Sequence, residues 1–166
     1  MISHSGIRPV RENELPFLWD MLYEAAAVNE KVRAMGKEKS LALPSVQKYL
    51  ADFGKEKDFA VVAVEEHKLV GAAWYRCFSE DNCGYGFISP DIPELTVAVA
   101  QDKRGQGVGT RLLKALLEVA KINSCRAISL SVDRQNPALH LYKRLGFQDA
   151  KISKATDASM TMVLWF

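Results

Sequence analysis

Residues 95–121 read LTVAVAQDKRGQGVGTRLLKALLEVAK, and the order of patterns within them decides the fold. Leu95 to Val99 is a short β-branched run that ends in the polar turn Ala100 to Lys103. Arg104-Gly-Gln-Gly-Val-Gly109 follows, and then Leu112, Leu113, Leu116, Leu117 and Ala120 repeat at helical spacing. Glycines at alternate positions ahead of a helix let bare backbone amides converge where the helix dipole is positive. That arrangement is an anion cradle, with phosphate as its natural occupant.

The 166 residues suit one domain, 1–166, and a chain of this size buries roughly 70% of its unfolded surface. Apolar residues make up 48% and charged residues 25%, the composition of an ordinary globular protein. A formal net charge of +2 without a basic block argues against a nucleic-acid partner. Cys77, Cys83 and Cys125 show no C-x-x-C spacing, and His4, His67 and His140 are scattered, so neither a disulfide framework nor a metal site is expected. Met1 to Gly6 lacks the apolar stretch of a signal peptide, and no apolar run reaches spanning length, so no membrane association is expected. The expected location is cytoplasmic.

Upstream of the central stretch, Ile7 to Val10 reads as a first strand, and Asn13-Glu14 opens a helix with Leu15, Leu18, Leu22 and Ala25 on one face. Phe17, Trp19 and Tyr23 lie off that stripe and are expected to pack against neighbouring elements, with cleft lining as the alternative. Ala27 to Leu43 mixes charges and reads as a solvated connection, or as a mobile loop on the substrate side. Pro44 starts a second helix carrying Val46, Tyr49, Leu50 and Phe53, with Gly54 as its stop. Phe59 to Val64 and Leu69 to Phe78, around Glu65-Glu-His-Lys68, form an antiparallel hairpin. Ser79 to Pro93 is a long loop carrying Tyr85 and Phe87, and loops of that length lean towards function.

Downstream, Ala127 to Val132 is another strand, so strand, helix and strand imply a right-handed parallel crossover. Asn136-Pro137 caps a last helix with Ala138, Leu141, Tyr142 and Leu145 on one stripe, ended by Gly146. Phe147 to Ser153 and Met160 to Phe166 read as closing strands. The class is mixed α/β.

Two phosphate-binding patterns fit poorly. The nucleotide P-loop requires Lys-Ser/Thr after its last glycine, where this chain has Thr110-Arg111. The dinucleotide fingerprint begun at Gly105 requires glycine at 110, and Gln101 to Lys103 separates strand from glycines. Asp133 imitates that fingerprint's ribose-binding acid, so a dinucleotide-dependent oxidoreductase is kept as a weak alternative.

Arg104-Gly-Gln-Gly107-Val-Gly109 resembles the pyrophosphate motif Q/R-x-x-G-x-G/A of the GNAT superfamily of N-acetyltransferases, between a central strand and a long helix as in that family. Asn136-Pro-Ala138, Leu141-Tyr142 and Leu145-Gly-Phe147 match a second family segment in order and approximate spacing. The resemblance implies a mainly antiparallel sheet of six to seven strands, helices on both faces and splayed central parallel strands. It implies acetyl-CoA or another acyl-CoA as co-substrate, with no metal. The backbone of Val97, Ala98 and Val99 would pair with the pantetheine arm, and amides of Arg104, Gly105, Gln106, Gly107, Val108, Gly109 and Thr110 would hold the pyrophosphate. Asn136, with Ala138 beside it, would contact the cofactor, and Tyr142 would lie near its sulfur. Arg104 would also meet phosphate through its charge.

Transfer to an amine of pKa near 10.4 requires deprotonation, at roughly 4–5 kcal/mol at neutral pH, so a general base is useful. Glu94 is the candidate, with a solvated strand-end carboxylate as the alternative and Asp91 as a weaker substitute. Tyr142 has the chemistry to donate to the leaving thiolate. Direct attack on a bound acyl-CoA by a small-molecule or protein amine is the expected reaction. A non-catalytic acyl-CoA-binding module is the other alternative. The acceptor is not legible, and oligomeric state is open, although a homodimer is common in similar proteins.

Overall fold

The computed structural model describes residues 5–166. The N-terminal residues 1–4, His4 among them, lie outside the described residues. Seven strands form one sheet: β1 (Gly6–Pro9), β2 (Phe59–Glu65), β3 (Lys68–Arg76), β4 (Glu94–Val99), β5 (Ala127–Asp133), β6 (Gln148–Asp149) and β7 (Ser159–Trp165). Their order across the sheet is β1-β2-β3-β4-β5-β7-β6. β4 and β5 run parallel, with Glu94 opposite Ser129, as expected of a crossover. The pairs β1–β2, β2–β3, β5–β7 and β6–β7 are antiparallel. The expectation of a mixed, mainly antiparallel sheet of six to seven strands is met.

The described residues group into two compact units, the first comprising 5–75 and 96–118, the second 76–95 and 119–166. In the first, α1 (Leu15–Ala26) has a proline in its first turn and buries Leu18, Met21 and Leu22, a helical stripe one position wider than the sequence pattern drew. Arg8 on β1 makes a two-pronged ion pair with Glu14 just before α1, at 2.8 and 2.7 Å. The Arg8 guanidinium holds the Glu14 carboxyl down at about 2. The core joins the α1 stripe to Val46, Leu50, Ala60, Val62, Ala72, Trp74 and Ala98, with Phe17 and Trp19 packed around it. The packing expected for those two aromatics is therefore observed.

Ala27 to Leu43 is not an irregular connection. It contains α2 (Glu30–Met35) and α3 (Lys37–Ala42). Asn29 caps α2 by accepting from the amides of Lys31 and Val32, and Gly36, at φ +89°, separates the two helices. Ser40 turns its hydroxyl inward to the carbonyls of Val32 and Gly36, which ties α3 back to α2. These are side-chain-to-backbone bonds, invisible to apolar periodicity.

The next helix, α4 (Pro44–Gln47), is shorter than the expected run to Phe53. Tyr49 and Leu50 donate to carbonyls three residues back, and the Trp74 indole donates to the Tyr49 carbonyl at 3.1 Å. The three-residue bonds break the α-helical ladder after Gln47.

The body of α5 (Val108–Ile122) completes the first unit, and its side chains Leu112, Leu113 and Leu116 are fully buried. The second unit holds β5, β7 and β6 with α6 (Ala138–Arg144). β5 and β7 pair from Ala127 opposite Trp165 to Asp133 opposite Ser159. The strand expected over Phe147 to Ser153 shrinks to Gln148–Asp149; ahead of it the Phe147 amide is committed to the Tyr142 carbonyl, and after it the Ala150 amide still donates to Thr161 of β7. Among the described residues no helix is long and apolar enough to cross a membrane.

Candidate active site

The cradle is built in the first unit by the turn from β4 into α5. A short 3₁₀ turn, Gln101–Lys103, leads out of the strand. Gly105 and Gly107 then adopt φ of +77° and +82°, the left-handed region that side-chain-bearing residues rarely occupy. A Cβ at either glycine would meet nothing within 4 Å, so these glycines answer a backbone requirement and face open space. Left-handed residues alternating with ordinary ones turn successive N–H groups towards one side. The first amides of α5 add to them, since a helix start has no intrahelical acceptor for these groups. Gly109 differs: a Cβ there would meet only Val99 Cγ2, at an ordinary 3.7 Å. The fold alone does not require glycine at 109.

The side-chain cations around the cradle have partners within the protein. Arg104 donates to a Glu24 carboxylate oxygen on α1 at 3.0 Å and, through Nε, to the Val99 carbonyl at 3.1 Å. Lys103 and Arg111 both approach Glu65, at the end of β2, at 3.4 Å. Glu24 and Glu65 escaped the sequence reading because nothing in their local pattern marks them. On β4, Ala98 is buried in the core while Val97 and Val99 are half-buried.

The second unit contains the remaining candidates. Glu94 is 2% exposed, so it is not a solvated strand-end carboxylate. Its Oε1 accepts from the Gly86 amide. Gly86 was not singled out from the sequence, yet it is tightly enclosed: a Cβ there would lie 2.6 Å from the Leu130 carbonyl carbon and 2.8 Å from the Ser131 nitrogen. Asp91 is exposed and ion-paired with Arg126. The Arg126 guanidinium, helped by the Ser89 hydroxyl, holds the Asp91 carboxyl well below the usual carboxylate range, which removes most of its strength as a base.

Tyr142 lies on α6, 8% exposed, edge-on to Phe147 with ring centroids 6.0 Å apart. Burial pushes its phenol up to about 12. Asn136 accepts from the Ala138 amide at 2.9 Å, so it does cap the start of α6. Asp133 accepts from the Gln135 amide at 2.8 Å and shapes the turn between β5 and α6.

A ribosomal-protein-alanine N-acetyltransferase from Brucella melitensis superposes with a TM-score of 0.70, at 26% identity over 97% of this chain and 99% of that one. The PaiA N-acetyltransferase from Thermoplasma acidophilum, solved in complex with coenzyme A, shares the fold at 18% identity, with a TM-score of 0.64 over 98% and 99% of the two chains. The N-alpha-acetyltransferase 30 of Schizosaccharomyces pombe is 31% identical over 94 residues, 54% of this chain. The chain spans little more than half of that relative's length, 57%. Neither a non-catalytic acyl-CoA module nor a dinucleotide-dependent oxidoreductase is favoured by these likenesses. The family model for the acetyltransferase (GNAT) family runs from residue 19 to 147, through both the glycine turn and the segment around Tyr142, and the chain belongs to that family.

Proposed function

We propose that this chain transfers an acetyl group from acetyl-CoA to a primary amine by direct attack within a ternary complex. The observation that carries the proposal is the backbone at Gly105 and Gly107, left-handed at both and open where side chains would stand. A pyrophosphate fits such a cradle because main-chain donors and a helix start act on it together. In this reading the amides from Arg104 through Gly105, Gln106, Gly107, Val108 and Gly109 to Thr110 hold the pyrophosphate. Val97, Ala98 and Val99 take the pantetheine arm as a further strand, and Asn136 and Ala138 bound it at the start of α6. Arg104 contributes its amide and its charge, with two of its guanidinium's five N–H donors held by Glu24 and Val99.

Acetyl-CoA supplies an acyl group already activated as a thioester. Glu94 accepts the proton that the attacking amine must lose, by way of a bridging water because the carboxylate is enclosed. The nitrogen–carbon bond forms, the carbon–sulfur bond breaks, and Tyr142 donates a hydrogen bond to the departing thiolate. Complete proton transfer from a phenol at about 12 to a thiolate of pKa about 8.5 would cost roughly 5 kcal/mol. Tyr142 therefore acts in this reading as a hydrogen-bond donor to developing charge, a role that burial strengthens. The favoured acceptor is the α-amine of a protein or peptide, supported by the names of the Brucella and fission-yeast relatives.

The test pairs wild type with Gly107→Asp. Calorimetric titration with acetyl-CoA should give binding in wild type and none in the variant, whose side-chain anion would stand in the cradle. Thioester consumption by wild type should then depend on an added peptide amine. Equal acetyl-CoA affinity in the two proteins refutes the cradle.

A further inference from the structure

The loop between β3 and β4 has a feature that the reaction described above does not use. Gly84 to Phe87 closes a turn, with the Phe87 amide donating to the Gly84 carbonyl at 3.3 Å, and Tyr85 is its first central residue. The turn is held at both central residues. The Thr161 hydroxyl on β7 donates to the Tyr85 carbonyl at 3.3 Å, and the Gly86 amide donates to Glu94. Gly86 is wedged against the backbone of Leu130 and Ser131 so closely that no side chain would fit. Further along, the Ser129 amide binds the Pro93 carbonyl at 2.9 Å, and Arg126 grips Asp91 and Ser89. From Gly84 to Pro93 this segment, without a helix or a strand of the sheet, is fastened at several points, yet it holds the Tyr85 side chain 65% exposed.

We infer that Tyr85 is a specificity-determining residue that receives the cationic amine acceptor, an inference that rests on the acyl-transfer reading. A large aromatic ring presented to water on a hydrogen-bonded turn has only two side-chain torsions to settle, so it offers contact area at small entropic cost. Its face attracts an ammonium ion. It stands one residue from the amide that holds Glu94, so the turn that presents the ring to the cation also holds the carboxylate assigned to take its proton. The exposed ring and the enclosed carboxylate divide the work: the first recognises the charged form of the amine and the second removes its charge. The same turn serves both, with Gly86 as a positioning residue that orients Glu94.

The test measures steady-state kinetics of wild type, Tyr85→Ala and Tyr85→Phe, with two probes: a short peptide with a free N-terminal alanine, and free lysine. On whichever probe wild type acetylates, Tyr85→Ala should raise the amine KM roughly tenfold. Its kcat and its acetyl-CoA KM should stay within about twofold of wild type, because ring loss removes binding of the amine alone. Tyr85→Phe should restore most of the lost amine affinity, since the ring face is retained. An unchanged amine KM in Tyr85→Ala overturns the inference while leaving acyl transfer intact. So does a change confined to thermal stability or to acetyl-CoA KM, which marks a structural role. If wild type binds acetyl-CoA but releases CoA with neither probe, the amine-transfer reading falls and this inference falls with it.

Discussion

Removing the Tyr142 hydroxyl, as Tyr142→Phe, should change stability and catalysis in separable ways. The phenol stands at about 12 in the folded protein and near its ordinary 10.0 once unfolded. The folded state thus holds this proton more tightly. The resulting stability is fully present below pH 10 and is lost as pH rises through 12. Two pKa units correspond to about 3 kcal/mol in total, of which roughly half has gone by about pH 11. Phenylalanine has no such proton. Urea unfolding of both proteins at about pH 8 and pH 11 should therefore show the wild type losing about 1 kcal/mol relative to the variant. In thermal melts that is a relative shift of about 2–4 °C for a chain of this size. The catalytic consequence runs the other way. A hydrogen bond to a charged group is worth about 1.5–3 kcal/mol, so kcat should fall by roughly ten- to a hundredfold with little change in acetyl-CoA affinity. Stabilities that run parallel between the two pH values would refute the burial argument. An unchanged kcat would refute the role at the thiolate.

Two further substitutions probe the second unit. Glu94→Gln should lower kcat most at neutral pH and recover towards wild type near the acceptor's own pKa, where free amine no longer needs a base; an equal loss at every pH counts against base catalysis. Gly86→Ala should destabilise by about 2 kcal/mol or more, because the added carbon meets backbone of β5 that cannot rotate away, and a variant as stable as wild type in urea would show that the wedge can relax.

What the sequence revealed and what it concealed divide along physical lines. Apolar periodicity located the hairpin of β2 and β3, the stripe of α5 and the crossover to β5, since each is a repeating pattern of burial. The glycine spacing led to the cradle because left-handed backbone has few encodings. Helices α2 and α3 were missed because Asn29, Gly36 and Ser40 build them through individual bonds, and one bond has no period. The Tyr49 carbonyl, just after α4, accepts from Trp74, which lies 25 positions further along the chain, and no local pattern marks that bond. At the candidate site, Tyr142 was visible as a residue type at a matched position and Glu94 as a carboxylate close to one, whereas the enclosure of Glu94 by Gly86 is a contact across a loop. Arg104 showed its charge in the sequence but not Glu24, which reaches it from α1.

The pairing of Lys103, Arg104 and Arg111 with Glu65 and Glu24 has a genetic consequence. A turn that works through its main chain has no side chain whose deletion would expose it. An alanine replacement at Gln106 leaves every amide in place, and the charged neighbours vary at the expense of carboxylate partners rather than of the turn. In an alanine scan across 104–110 the turn shows itself at Gly105 and Gly107, where alanine resists φ near +80°, while loss at the buried Val108 reports packing. Proline, which removes a donor, would probe the amides of the remaining positions.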